Sequence, residues 1–239
     1  MRALVGHTGF VGSNILQQAS FDKCYNSKNI EDISGNDFEL LVCAGVSSIK
    51  WKANKEPKQD FQQIHSLISN LHKARFKRMI HISTIAVYDS PADNAYGQNR
   101  LYLETYLRNN FDNVFIIRLP SLFGNGLRKN AIFDLLNKDF QYLPHQDSQF
   151  QYYCLDDIWS DITKMSDNNI RTLNLSTEPI SFCDILTLFG VDHRCADPSK
   201  IIIENMNSDH AGLWGKKGAY LYDKDEIFDK LKRFIKQHE

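Results

Sequence analysis

No run of about 18 apolar residues occurs anywhere in the chain, so no membrane-crossing helix is expected. The basic-then-apolar plan of a secretory leader is missing too. The chain enters an apolar stretch almost at once, at Ala3-Leu4-Val5, and a soluble, cytoplasmic protein is the expectation. Nor is there an excess of one charge. With 28 Lys and Arg against 29 Asp and Glu the formal net charge is -1. The concentrated basic surplus that grips a phosphate backbone is lacking, so nucleic acid is not an expected partner. The five cysteines (Cys24, Cys43, Cys154, Cys183, Cys195) are odd in number and never spaced as C-x-x-C, which leaves no disulfide framework or zinc knuckle and implies reduced thiols. The eight histidines form no H-E-x-x-H. His65 and His72 would share a helix face but lack further ligands, so no metal is expected. Six prolines and 12 glycines mark no flexible linker, and no repeat or low-complexity stretch is present.

What the chain does have is material for a core: 42% hydrophobic and 12% aromatic residues in 239, enough for one large domain or one domain with a dependent lobe. In the first half short apolar runs alternate with amphipathic stretches, the pattern of a parallel sheet flanked by helices. Strands are expected at Arg2–Val5, Lys23–Tyr25, Leu40–Ala44, Arg78–Ile82 and Val114–Ile117, and helices at Val11–Gln18, Asp60–Lys73 and Tyr96–Arg108. Only Ile30–Asp37 separates the second strand from the third, a trimmed connection without room for a further helix and strand. After Gly124 shorter pieces follow: helix-like Ala131–Asn137, a polar turn around His145–Ser148, Asp156–Lys164, strand-like Thr172–Leu175 and Phe182–Phe189. At the end Ile227, Phe228, Leu231, Phe234 and Ile235 fall on one stripe of a helix over Lys224–Gln237. The segment Lys200–Tyr222 has no physical reading beyond a loop.

The most informative local signal is Gly6-His7-Thr8-Gly9-Phe10-Val11-Gly12, placed between an apolar strand and a helix-compatible Ser13-Asn14-Ile15-Leu16. Gly6 lets the chain turn off the strand, Gly9 clears space for a pyrophosphate, and Gly12 lets the helix lie close. The helix N-terminus offers amides and a partial positive charge to the anion. A tight turn with no ligand is the plain alternative. The expected fold is therefore α/β, a Rossmann-type doubly wound parallel sheet over residues 1–124. A small mixed α/β substrate-binding lobe over 125–239 would pack on the C-terminal edge of the sheet. The adenosine ribose of a dinucleotide would meet Asn26, Ser27 and Lys28. None is acidic, and Lys28 suits a 2′-phosphate, so NADP is favoured over NAD. The same three residues also read as a simple polar turn.

Further motifs follow: Ser83-Thr84 before Val87-Tyr88, then Tyr96-Gly97-Gln98-Asn99-Arg100 opening a helix. With the glycine turn these residues resemble the extended branch of the short-chain dehydrogenase/reductases, the NAD-dependent sugar-nucleotide epimerases, dehydratases and reductases. Ala44-Gly45, Glu104, the run Arg118-Leu119-Pro120-Ser121-Leu122-Phe123-Gly124, Tyr152-Tyr153-Cys154-Leu155-Asp156-Asp157 and Leu173-Asn174-Leu175 continue the likeness in order. The resemblance implies that a dinucleotide is held by Gly6, Thr8, Gly9, Phe10, Val11, Gly12, Ala44, Gly45, Tyr96, Arg100 and Pro120. It implies Tyr96 as acid/base, Thr84 with Ser83 as the anchor of the substrate oxygen, a nucleotide sugar as substrate, and a homodimer through the two long helices.

Hydride exchange at a carbon requires proton movement on the attached oxygen, hence an acid/base beside the nicotinamide. A tyrosine ionises near pH 10, and one cation at about 4 Å in an effective dielectric near 20 would favour phenolate by roughly 4 kcal/mol, about three pKa units. Arg100, one helical turn from Tyr96, is expected to supply that charge and to clamp the cofactor. The sequence departs from the family here, since Arg100 stands where the family has lysine and an arginine does not relay protons. The segment between Thr84 and Tyr96 is short, and Ile85-Ala86 replaces the acidic pair of the dehydratases. Arg118 reads as a phosphate ligand or, preferably, a buried partner of a carboxylate. Asp156 and Asp157 read as helix-start caps, and Arg128 and Lys129 as a diphosphate contact or a solvated turn. Two functions are consistent with these residues. One is an NAD(P)-dependent oxidoreductase or epimerase on a nucleotide-linked sugar; the other is a sensor or scaffold protein that retains the dinucleotide but little chemistry.

Overall fold

The computed structural model describes residues 1–89, 94–195 and 197–238. The chain runs through β1 (Arg2–Val5), α1 (Phe10–Gln18), β2 (Lys23–Tyr25), β3 (Asp37–Phe38), β4 (Leu40–Cys43), α2 (Lys50–Lys55), α3 (Pro57–Leu71) and β5 (Arg75–Phe76). It continues through β6 (Met79–Thr84), α4 (Ala95–Asn110), β7 (Val114–Leu119), β8 (Ser121–Phe123), α5 (Ala131–Leu136), β9 (Gln149–Phe150) and β10 (Tyr152–Cys154). The last elements are α6 (Ile158–Asp167), β11 (Thr172–Asn174), β12 (Ile180–Ser181), α7 (Phe182–Leu188) and α8 (Lys224–Lys236). Two compact units result, Met1–Arg118 with Asp157–Leu173, and Leu119–Asp156 with Asn174–Glu239.

In the first unit six strands form one sheet in the order β11-β7-β6-β4-β1-β2, with β1–β2, β1–β4 and β4–β6 parallel. Val5 stands level with Tyr25 on one side and Cys43 on the other, and Cys43 with His81. The chain leaves β1 for β2 on one side and crosses to β4 on the other. Such a switch in strand order opens a crevice at the C-terminal strand ends, and Gly6 and Ala44 lie there. The strands are buried on both faces, as parallel sheets are. Ala3, Val5, Leu41, Cys43, Met79 and Ile116 join Ile64, Leu67, Ile68 and Leu71 of α3 and Leu103 and Leu107 of α4 in one core. The alternate residues Leu4, Val42, Ile80 and Ile117 are buried as well and point to the other face.

The trimmed connection after β2 holds a 3₁₀ turn at Ile30–Ile33 and the two-residue β3, which pairs with β5 rather than with the main sheet. Helix α2 has no counterpart in the sequence expectations. Six residues, Lys-Trp-Lys-Ala-Asn-Lys, span under two turns and bury only Ala53, so no apolar period exists to be read. Helix α3 starts with Pro57 in its first turn, where a missing N–H costs nothing.

The second unit pairs β8 with β10 in parallel and β9 with β12 antiparallel. Phe123, Phe150, Phe182 and Ile185 pack with Ile227, Leu231, Phe234 and Ile235 of α8, the stripe expected from the sequence. A capping box of Asp223 and Glu226 starts α8. The stretch after Lys200 is tied down by one buried side chain: Gln151 donates to the carbonyls of Thr177 and Met206 and accepts the Met206 N–H at 2.6 Å. Among the described residues no helix is long and apolar enough to cross a membrane.

Candidate functional site

The glycine turn is built as its spacing suggested. Gly6 has φ +85°, and a Cβ there would come within 2.3 Å of the Ala44 carbonyl oxygen. A Cβ on Gly12 would come within 2.1 Å of the Gly6 carbonyl oxygen, so α1 can lie this close only because position 12 is bare. Gly9 differs: its Cβ would meet only the Gly6 oxygen, at 3.3 Å, and the rest of its surroundings are open. It stands at the N-cap of α1, and no side chain caps the first helical turn. The partial positive charge of the helix start therefore faces open space rather than a carboxylate or hydroxyl. Thr8 is exposed, and Phe10 and Val11 are half-buried in the same turn.

At the end of β2 the chain makes an Asx turn. Asn26 Oδ1 accepts the Lys28 N–H at 2.8 Å, and Asn29 Oδ1 accepts the Asn26 N–H at 2.7 Å. Asn26 is engaged in holding the turn, while Ser27 and Lys28 are exposed. Ala44 and Gly45 follow β4, with the Ala44 N–H donating to the Val5 carbonyl at 2.9 Å. A Cβ on Gly45 would fall 2.8 Å from a methyl of Val5.

Thr84 is the last residue of β6, two strands across from Val5. Its hydroxyl accepts the Ala86 N–H at 3.2 Å and lies near enough to the Tyr96 phenol to favour the ionised form, so the structure brings these two residues together. The first turn of α4 is tightly placed. Asn94 caps it, accepting the Gly97 N–H at 2.9 Å and donating to the Ala86 carbonyl at 2.7 Å. A Cβ on Gly97 would lie 2.0 Å from that same carbonyl oxygen. Asn54 of α2 accepts the Tyr96 N–H at 2.8 Å. Residues 90–93 of the short segment between Thr84 and Tyr96 lie outside the described residues.

Arg100 does not reach outward. Its Nη1 and Nη2 donate to the two carboxylate oxygens of Asp60 on α3 at 2.6 and 2.9 Å, and Nη2 also donates to the Ser47 carbonyl at 2.5 Å. The paired side chains are 4% and 6% exposed, and the guanidinium lies 4.3 Å from the centre of the Tyr96 ring. The expected cation is thus present but matched by an anion. The Tyr96 phenol is accordingly pushed above its ordinary value, not below it. Burial is the main cause, Arg100, the Thr84 hydroxyl and Lys50 oppose it, and Asp60 adds to it. The expected drop of about three units is corrected, because burial of the phenol outweighs the charge of Arg100, which Asp60 partly offsets.

Ser83 faces inward. Its hydroxyl donates to Glu104 Oε1 at 2.6 Å, and Glu104 is bidentate with Arg118, Nη2 to Oε2 at 2.5 Å and Nε to Oε1 at 3.0 Å. Arg118 also donates to the Tyr88 hydroxyl. The preference for a carboxylate partner of Arg118 is met. His81, fully buried, has neither ring nitrogen bonded, and burial pulls it down to about 4.

No family model matches the chain, and no curated protein matches its sequence. Solved structures do match. One is the dTDP-4-dehydrorhamnose reductase of Bacillus anthracis in complex with NADP, with a TM-score of 0.73 at 15% identity over 99% of this chain and 98% of that one. Another is the UDP-glucose 4-epimerase of Thermotoga maritima with UDP-glucose, 0.71 at 14% over 99% and 98%. A third is an NAD-dependent NDP-hexosamine 5,6-dehydratase involved in tunicamycin biosynthesis, 0.72 at 15% over 100% and 98%. The fold is that of the extended short-chain dehydrogenase/reductases.

On this dehydrogenase/reductase fold the sequence motifs fall at the crevice, but several side chains are already committed. Arg100 is engaged by Asp60, Ser83 by Glu104 and Asn26 by its own turn. Pro120 is buried just after β7, and Arg128 and Lys129 are exposed. Asp157 stands at the N-cap of α6 without making the side-chain cap bond expected of it. His65 packs edge-on against Phe61, and His72 Nε2 lies 3.0 Å from the Tyr106 hydroxyl, so the two do not form a ligand pair. Among the described residues no three His, Cys, Asp or Glu gather as a metal would need. Sequence reasoning missed Asp60, Asn54 and Asn94. Only Asn94 carried a signal, an Asn just ahead of a helix.

Proposed function

We propose that the protein is an NAD(P)-dependent oxidoreductase of the extended short-chain dehydrogenase/reductase family, acting on a nucleotide-linked sugar and working as a carbonyl reductase. The observation that carries this is the placing of Thr84, at the end of β6, beside Tyr96, at the start of α4, two strands from an uncapped glycine turn. Two strand spacings put them roughly 10 Å apart, the reach of a dinucleotide laid across the crevice. The residues present fit a dinucleotide at Gly6, Gly9 and Gly12, with Thr8, Phe10, Val11, Ala44 and Gly45 around it. At Arg100 three of the five guanidinium N–H groups are taken by Asp60 and the Ser47 carbonyl, and its charge is matched, so a clamp role there is left out of this reading. The bound dinucleotide supplies hydride.

Tyr96 supplies the proton. A phenol whose pKa is raised is neutral at pH 7 and donates, and the Thr84 hydroxyl orients both it and a carbonyl oxygen. Reduction of a ketone needs that donor; epimerisation or oxidation would first need a base. Exposed Ser27 and Lys28 favour NADP over NAD, and the second unit is the substrate lobe. A cytoplasmic location and a homodimer through α3 and α4, along which Phe61, His65, Tyr102 and Tyr106 form an aromatic stripe, belong to the same proposal. The Arg100–Asp60 pair favours a second reading, a dinucleotide-binding sensor or scaffold without turnover.

Single-turnover absorbance with NADPH and a panel of 4-keto nucleotide sugars separates the two. The reductase consumes NADPH in wild type and not in Tyr96→Phe. Calorimetric binding without any redox change in the panel leaves the sensor, and absence of dinucleotide heat removes both.

A further inference from the structure

In the second unit the segment 201–204 lies along β9 and exposes an unpaired backbone edge. Ile203 stands level with Gln149 in parallel, the Gln149 N–H donates to the Ile202 carbonyl at 2.8 Å, and the Glu204 N–H donates to the Gln149 carbonyl at 2.9 Å. On its other side β9 is paired with β12. Backbone groups alternate sides along an extended chain, so those of Ile202 and Glu204 face β9 and those of Ile201 and Ile203 face away from it. Among the described residues nothing bonds the N–H or carbonyl of Ile201 or Ile203. The side chains are bare as well, Ile201 37%, Ile202 48% and Ile203 60% exposed. Sheet edges are ordinarily protected by lysine, proline or a bulge, and three isoleucines in a row are the opposite. We propose that this edge pairs antiparallel with the same edge of a second copy of the chain, about a two-fold axis at Ile202.

The edge is complementary to its own reverse. In that register Ile202 meets Ile202 of the second copy, Ile201 meets Ile203, and Lys200 meets Glu204. The backbone agrees with the side chains. Ile201 of each copy exchanges both N–H···O bonds with Ile203 of the other, and Ile202 falls at the non-bonded position between them. A slip of one residue would set outward groups opposite inward ones, so the pairing has one register. The charges at its ends are opposite where a like pair would repel. Lys200 is exposed, and Glu204 is held at the edge by the Gln151 N–H, which its Oε2 accepts at 3.1 Å. An isologous contact of this kind uses one patch twice and closes after two copies. So short a strand buries less than the roughly 1,200 Å² of a stable interface, and the association is a reversible one. It belongs to the second unit, whereas α3 and α4 are in the first.

Cross-linking reads the register. At a non-bonded antiparallel position the two Cα atoms are about 4.5 Å apart, within the span of a disulfide. In the full chain, with the accessible Cys183 and Cys195 replaced by serine, Ile202→Cys should give a disulfide-linked dimer on oxidation with diamide. Ile203→Cys should not, because position 203 faces position 201 and its own counterpart is too far along the pair. Sedimentation equilibrium reads the affinity. Ile203→Pro removes an outward N–H and spares both bonds to Gln149, so it should weaken one association step by ~10-fold or more without unfolding the chain. Lys200→Glu should weaken the same step and Lys200→Arg should not. No cross-link at position 202, equal cross-linking at 202 and 203, or association unchanged by Ile203→Pro overturns the proposal and leaves the edge to a strand of another protein. The reductase reading is untouched by any of these results, since it is decided by NADPH consumption.

Discussion

Removing the Asp60 carboxylate isolates the feature on which the chemistry of this site turns. In Asp60→Ala the Arg100 guanidinium keeps its bond to the Ser47 carbonyl and its place under the Tyr96 ring, but loses both carboxylate contacts, at 2.6 and 2.9 Å. It becomes an unmatched cation in a site where its side chain is 4% exposed. Breaking a buried pair from one side costs about 3–5 kcal/mol. At roughly 2–4 °C per kcal/mol for a chain of this size, the melting midpoint should fall by about 6–20 °C. Urea unfolding followed by the fluorescence of Trp51 and Trp159, both in the first unit, gives the free energy directly. The double variant Asp60→Ala/Arg100→Met removes both charges and should recover much of the loss, and with Arg100→Met as the second single variant the cycle yields a coupling of about 2 kcal/mol or more. A single-variant cost below about 1 kcal/mol, the range of solvated pairs, would mean that the pair is open in solution. Arg100 would then be available to a cofactor ribose, and the assignment of Arg100 as a staple between α3, α4 and the Ser47 loop would be wrong.

Two glycines of the first turn should respond in opposite ways. Gly12→Ala forces a Cβ to within 2.1 Å of the Gly6 carbonyl, so it should lower stability by about 1–3 kcal/mol and weaken dinucleotide binding in calorimetry. Gly9→Ala meets only one atom at 3.3 Å and should leave the melting midpoint unchanged while abolishing the binding heat; retained binding in Gly9→Ala would put the anion elsewhere. His81 predicts an acid-side loss of stability. Its folded pKa is down at about 4 against an ordinary 6.5, so the unfolded chain takes up a proton first as pH falls. The contribution is complete above pH 6.5 and roughly 3 kcal/mol is lost by pH 4, a slope absent from His81→Leu. Parallel stability curves for the two proteins between those pH values would show that the imidazole is not held neutral.

Much of the first unit could be read from its sequence because its strands are short apolar runs punctuated by glycine and polar turns. The glycine turn in particular carries its own geometry: three bare positions fit between a strand and a helix only one way, and Gly6 and Gly12 close on each other as the spacing implied. Strand ends were less legible. β6 extends through Thr84, past the expected Ile82, because nothing in Ser83-Thr84 breaks an extended chain until Ala86 turns back on the Thr84 hydroxyl. The partner of Arg100 was illegible for a different reason. Asp60 lies 40 residues away and, as an acidic residue in the first turn of α3, is fully accounted for by the helix dipole. Only the depth to which α3 and α4 bury that face shows that the two charges must meet. The partner of Ser83 was no more legible: a hydroxyl near a strand end gives no sign of which face it takes, and here it takes the face of Glu104.

The arginine at position 100 and the aspartate at position 60 make physical sense only together. A lysine ammonium could not bridge both Asp60 oxygens and the Ser47 carbonyl, whereas the guanidinium fork spans all three. The same arginine without Asp60 would be a buried bare charge. With both present, a cation able to approach a cofactor has been exchanged for a rigid, neutral support beneath the Tyr96 ring. The phenol resting on that support has its pKa raised by burial, which favours its protonated form. A site arranged this way delivers protons more readily than it removes them. It follows that, if Tyr96 is the acid, the rate of reduction should decline only above the elevated ionisation of Tyr96 rather than through a neutral-pH transition of the phenol, and the reverse oxidation should be slow at neutral pH.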